Sequence, residues 1–169
     1  NPKMLFIPTA SNDNEEYIEK FTAYFKKNYN IEVKILRLFV KKERVSKQEM
    51  ENLILTSNII YVGGGNTLMM MNLWKRLGVD VLLRKAFEKN IVLCGASAGS
   101  ICWFDYGNYD SWKYYNKKAP YIRVKGLGLL PFLHCPHYHG EQIYCRGRVK
   151  SLQKMVKPKE TAIALDDDV

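Results

Sequence analysis

No apolar run in this chain approaches the ~20 residues needed to cross a bilayer, so a membrane-spanning helix is not expected. Acidic residues are the minority, seventeen against twenty-six basic ones, for a formal charge of +9. The excess lysines are scattered through short helical stretches (Lys20, Lys26, Lys27, Lys41, Lys42, Lys47) and form no basic tail, so they read as a solvated surface and not a nucleic-acid footprint. Cysteine is sparse: Cys94, Cys102, Cys135 and Cys145. Cys94 and Cys102 read as small buried hydrophobes, and free thiols in a reducing cytoplasm are the expectation. The spacing Cys135, His137, His139, Cys145 does not match the paired-ligand loops of structural zinc, so no metal is expected. Histidine is rarer still, with three residues, and all fall within His134–His139.

What is present is an alternation of strand-like and helix-like segments. Lys3–Ile7 is a short apolar strand stopped by Pro8, and Asn12 or Asp13 is placed to cap the amphipathic helix over 15–29. Residues 31–40 alternate apolar and polar as a second strand. Ser46 to Glu49 reads as a capping box opening a helix to Thr56. Asn58–Val62 is a buried strand that runs into Gly63-Gly64-Gly65-Asn66-Thr67. Helical spacing over 68–77 and 79–89 follows, and then the apolar run Ile91–Cys94. This order predicts an α/β domain with a mostly parallel sheet and helices on both faces, its working site at the carboxyl ends of the strands. At 169 residues the chain is expected to be one domain, 1–169. Residues 105–123 break the pattern with tyrosines and Trp112 among charges, and read either as a pocket lining or as a half-buried hairpin. Strand character resumes at 126–130, a helix is expected within 151–156 and a last strand over 161–165.

The run Ile91–Cys94 ends in Gly95-Ala96-Ser97-Ala98-Gly99, a Gly-x-Ser-x-Gly elbow that holds a serine on a tight strand-to-helix turn. The alternative is a glycine-rich turn whose serine only caps a helix. A serine hydroxyl needs a base to take its proton, and His137, just after Pro136 at a strand end, suits that role. His134 and His139 read as packing or surface residues. The acid that would orient the base is open between Asp110, Glu141 and the Asp166–Asp168 cluster. An oxyanion needs two convergent N–H donors: the amide of Ala98 is the natural first and a glycine of the 63–65 loop the second.

Four stretches together, IPTAS at 7–11, YVGGGNT at 61–67, CGASAGS at 94–100 and CPHYH at 135–139, resemble the dipeptidase E and cyanophycinase family of serine peptidases across nearly the whole chain. The resemblance implies a three-layer α/β fold like that of class I glutamine amidotransferases, with serine in place of their cysteine, and implies that residues 1–169 lack the family's leading strand and C-terminal tail. It implies Ser97 as nucleophile, His137 as general base, and Gly64 or Gly65 with Ala98 as the oxyanion hole. Asp110 and Asp167 match the family's two acidic positions, with Asp110 narrowly preferred for the triad. Asn66, Arg146 and Arg148 are the candidate substrate-binding residues. The implied activity is hydrolysis of short peptides, including dipeptides with an N-terminal aspartate, with no cofactor, in a protein that can form a homodimer. A non-catalytic ligand-binding member, or an esterase or amidase on non-peptide substrates, is the alternative.

Overall fold

The structure, a computed structural model, describes residues 2–114, 116, 118–140 and 147–167. Among the sequence candidates, Glu141, Cys145, Arg146 and Asp168 lie outside the described residues. The chain divides into two compact units, Asn1–Gly99 and Ser100–Val169.

The first unit is built on a four-stranded, all-parallel sheet. Its strands are β1 (Met4–Ile7), β2 (Val33–Ile35), β3 (Ile59–Val62) and β4 (Val92–Gly95), in the spatial order β2-β1-β3-β4. The crossovers carry α1 (Glu15–Tyr29), α2 (Lys47–Leu55), and the pair α3 (Thr67–Leu77) and α4 (Val79–Glu88). All four residues of β1 are buried, as expected for a central strand covered on both faces. Phe6 stacks on Phe21 of α1 with ring centroids 4.0 Å apart, and Phe21 lies 4.8 Å from Tyr61 of β3. This aromatic column fixes α1 to the sheet.

Two local expectations are corrected. The cap of α1 is Asn14, whose side chain accepts from the Tyr17 amide at 2.8 Å, and not Asn12 or Asp13. Asp13 instead turns its carboxylate to the backbone amides of Leu38 and Phe39. That contact ends the expected strand over 31–40 early. The extended ladder covers only 33–35, and the buried Leu36 and Leu38 belong to the loop that Asp13 holds. The N-cap expected for α2 is made: Ser46 accepts from the Glu49 amide at 3.1 Å, one of the two bonds of a capping box.

The second unit has its own four-stranded sheet, in the order β6-β5-β7-β8. It comprises β5 (Phe104–Tyr109), β6 (Ile122–Lys125), β7 (Leu130–Cys135) and β8 (Ala162–Ala164), with α5 (Ala98–Ile101) leading into it and α6 (Arg148–Met155) before β8. The β5–β6 pair is antiparallel, while β5–β7 and β7–β8 are parallel. The aromatic stretch is therefore a hairpin, with the Arg123 guanidinium 4.0 Å from the Tyr106 ring centre. Residues 126–129, expected as strand, form the turn into β7, with Gly128 at φ 68° and backbone bonds from 126–129 back to Cys102, Trp103, Phe104 and Asp105. No helix among the described residues is long and apolar enough to cross a membrane.

Candidate active site

The parallel register of the first unit brings its loops to one edge. Val62, the last residue of β3, pairs with Ile7 of β1 on one side and Gly95 of β4 on the other. The chains leaving β1 and β4 therefore emerge on either side of the one leaving β3, at the carboxyl edge where α/β sheets place their sites. The glycine loop follows β3 and the serine elbow follows β4. A Cβ placed on Gly64 would lie 3.4 Å from Cβ of Ser97, so this loop backbone runs directly against the serine.

Ser97 has φ 54°, left-handed backbone that a non-glycine residue adopts at a cost of about 1–3 kcal/mol. This is the strained turn that a nucleophile elbow requires, and it presents the side chain clear of the strand it follows. The surrounding glycines are there for closeness. A Cβ on Gly95 would lie 2.7 Å from the Val62 carbonyl oxygen, and one on Gly99 would overlap the same carbonyl. Ala96 N–H donates to that oxygen at 3.2 Å, which pins the elbow to β3.

The candidate oxyanion donors are Gly64, Gly65 and Ala98. Ala98 is the first residue of α5, where an amide has no carbonyl one turn earlier to bond. The Gly64 amide faces the Tyr17 hydroxyl at 3.5 Å, a long and weak contact. Burial pushes the Tyr17 phenol above its usual pKa, so it stays a neutral partner. Tyr17 lies on the apolar side of the amphipathic helix α1, and its spacing alone carries no sign of a place beside the glycine loop. Gly65 has φ 138° and lies so close to Ala10 that a Cβ would overlap its carbonyl. Asn66 accepts from the Met69 amide at 3.0 Å and so caps α3, while its own amide donates to Ala10 O at 2.7 Å.

The histidine and acid candidates belong to the second unit. His137 also has a left-handed backbone, φ 53°, in the turn that ends β7. Its Nδ1 is hydrogen-bonded to Oδ1 of Asp167, which lies beyond β8. The strands are clamped next to this pair: Leu165 N–H donates to Cys135 O at 3.0 Å and Tyr138 N–H to Leu165 O at 3.0 Å. A second pair flanks it. Asp166 accepts from the His139 amide at 2.7 Å and meets its Nδ1 at 3.0 Å, and these bonds hold the Asp166 carboxyl below its usual pKa.

Asp110, the acid narrowly preferred from the sequence, is paired elsewhere. Its carboxylate accepts from Arg148 at 3.2 Å, and both side chains are buried, Arg148 to 2% exposure. Arg148 also donates to the Pro136 carbonyl at 3.1 Å, which supports the turn just before His137. The guanidinium is thus turned inward and matched by a carboxylate, because an unpaired charge there would be costly. Asp167 and not Asp110 is the carboxylate found on His137, and Arg148 is not presented for a substrate. His134 is wholly buried on β7 and bonds Ser100 and the Ile163 carbonyl, so of the two readings left open for it, packing is the one observed.

Residues 1–169 match the family model of Peptidase family S51. The chain is 38% identical over 141 residues to an uncharacterised peptidase of Bacillus subtilis, YgaJ, covering 83% of this chain and 56% of that protein. It is 30% identical over 140 residues to an uncharacterised peptidase of Listeria innocua, covering 79% of this chain and 63% of that one. The chain therefore spans 56% and 63% of the lengths of these two relatives. Among solved structures, a candidate peptidase E of Listeria monocytogenes superposes with a TM-score of 0.71 at 21% identity, covering 99% of this chain and 79% of that one. That likeness is one of fold: mostly parallel sheets with helices on both sides, of the class I glutamine amidotransferase-like type. With the family pattern running the full length of the sequence, and with the glycine loop, serine elbow and histidine turn that carry it all described, the chain belongs to Peptidase family S51, the dipeptidase E and cyanophycinase family.

Proposed function

We propose that the protein is a serine-type peptidase that hydrolyses short peptides through an acyl-enzyme on Ser97. The observation that carries this reading is the left-handed Ser97 held against the Gly64 backbone, a geometry whose strain an ordinary helix cap does not need. In the reaction, Ser97 Oγ attacks the scissile carbonyl carbon while His137 Nε2 takes the hydroxyl proton. The carbonyl oxygen becomes an oxyanion stabilised by the amides of Ala98 and of Gly64 or Gly65. Collapse breaks the C–N bond, and His137 returns the proton to the leaving amine. Water then attacks the acyl-enzyme by the same route and regenerates the serine. Asp167 holds the hydrogen on His137 Nδ1, so Nε2 is the free base, and it stabilises the imidazolium that forms. We take Ser97, His137 and Asp167 as the triad, and Asp110 with Arg148 as the buried pair that supports the histidine turn.

The substrates we propose are dipeptides whose first residue is aspartate, the preference implied by the dipeptidase E resemblance. Arg146 is the cation assigned to the acidic side chain, since Arg148 is neutralised by Asp110.

Two measurements test this. A fluorophosphonate probe should label the folded protein, and Ser97→Ala should abolish the labelling. A panel of Asp-X, Glu-X and Ala-X dipeptides beside simple esters should show turnover of Asp-X first. Ester cleavage with no dipeptide cleaved would overturn the peptidase assignment, and no labelling at all would overturn the enzyme assignment.

A further inference from the structure

His134 has both ring nitrogens engaged inside the second unit. Nδ1 lies 3.0 Å from the Ile163 carbonyl oxygen, and because a carbonyl only accepts, Nδ1 carries the hydrogen. Nε2 is then the bare nitrogen and accepts from the Ser100 hydroxyl at 2.9 Å. The ring stacks on Phe104 with centroids 4.4 Å apart and is fully buried. Its two partners thus fix both the tautomer and the orientation of this imidazole. Burial also depresses its pKa, which keeps it neutral beside the positive charge that His137 acquires when it takes a proton.

The place of this ring in the sheet is what matters. His134 is paired with Ile163 in the parallel β7–β8 ladder, so its side-chain bond reinforces that backbone rung. His137 stands three residues beyond His134 and Asp167 four beyond Ile163. A slip of β8 by one residue would move Asp167 by about 3.3 Å and turn its side chain to the opposite face, ending its bond to His137. We infer that His134 is a positioning residue: held by Ser100 and bonded to the Ile163 carbonyl, it sets the β7–β8 register that brings Asp167 to Nδ1 of His137. This role rests on the peptidase reading only where activity is the readout.

The test compares His134→Phe, His134→Asn and Ser100→Ala with the wild-type chain by two measurements. Long-range proton–nitrogen correlation spectra report which nitrogen of His137 carries its hydrogen, and the rate of fluorophosphonate labelling reports the competence of Ser97. His134→Phe keeps the stacking on Phe104 and loses both bonds. It should convert His137 from the Nδ1–H form to a tautomer mixture and slow labelling by about tenfold to a hundredfold. His134→Asn can keep a donor near the Nδ1 position and should restore the Nδ1–H form and most of the labelling rate. Folded His134→Phe with an unchanged His137 tautomer would overturn the inference. Should that variant fail to fold, Ser100→Ala decides by the same spectrum: a shift toward the mixture supports the role and a wild-type spectrum overturns it. If the wild type is not labelled but the His137 tautomer responds as stated, the positioning role stands and the peptidase assignment falls.

Discussion

Asp167 is bonded through Oδ1 to Nδ1 of His137, across the ends of two neighbouring parallel strands, β8 and β7. In the proposed mechanism the aspartate selects the tautomer and does not itself exchange a proton. Asp167→Asn would let the ring turn or adopt the wrong tautomer while leaving the fold intact. We expect kcat on the best dipeptide to fall by about 10²–10⁴-fold with an unchanged unfolding midpoint. A loss of less than threefold would remove Asp167 from the triad.

Asp110→Asn should behave in the opposite way. It removes the charge facing Arg148, which is 2% exposed, and leaves the buried guanidinium without its carboxylate. The expected cost is about 3–5 kcal/mol in urea unfolding. A double variant, Asp110→Leu with Arg148→Met, should recover much of that, because two apolar side chains leave no charge uncompensated. Measured side by side, Asp167→Asn loses rate and Asp110→Asn loses stability.

Gly99→Ala forces a methyl onto the Val62 carbonyl at the tightest approach of the elbow to β3. Backbone cannot yield there without separating β3 from β4, so the change, which at an unhindered helical site would stabilise, should here cost several kcal/mol, roughly 2–4 by analogy with other overpacked sites. Gly78→Ala is the control. Nothing lies near its Cβ position, and only its positive φ, 76°, opposes the change, so its cost should be about 1 kcal/mol. Chemical denaturation of the two variants gives the comparison directly.

The buried His134 predicts a pH dependence of stability. Its folded-state pKa lies below the ordinary value of 6.5, chiefly through burial. Above 6.5 the group is neutral in both states and stability is unaffected. As pH falls below 6.5 the unfolded chain binds a proton that the folded chain resists, so stability drops until pH passes the folded-state pKa. His134→Phe should flatten this limb of a stability-against-pH curve recorded from pH 7.5 downward. An unchanged slope would mean that other groups carry it.

A second limb belongs to Glu160, whose carboxyl is lowered to about 2 by the guanidinium of Arg123. The pair is mostly buried, with side-chain exposures of 19% and 18%, and two hydrogen bonds join the side chains. The stabilisation is complete above the ordinary carboxylate value of 4.5 and is lost as pH falls toward 2. Glu160→Gln should lower stability near neutral pH by about 1–2 kcal/mol and remove this pair's share of the decline between 4.5 and 2. Equal acid sensitivity in the two proteins would argue against the pair.

Much of this protein is determined by its sequence alone, where the controlling physics is local. Apolar runs that end in glycine, such as Asn58–Gly65 and Ile91–Gly99, specify strands closed by tight turns, but not their burial: β3 is buried at alternate residues, and β4, expected to be buried, is the edge strand of its sheet, with Val92 57% exposed and Cys94 only partly covered. Ser46 and Glu49 specify a helix start within four residues. The serine, the histidine and the glycine loop could be named for the same reason, each being carried by its own short turn. Tertiary structure decided the rest. The strand at 33–35 stops where it does because Asp13, distant in the chain, takes the amides of Leu38 and Phe39. The acid on His137 is Asp167 because β7 and β8 lie in register. Asp110 is withheld because α6 delivers Arg148 to it in the interior. A carboxylate's partner depends on which strand and which cation fold against it, and spacing along the chain carries no record of that.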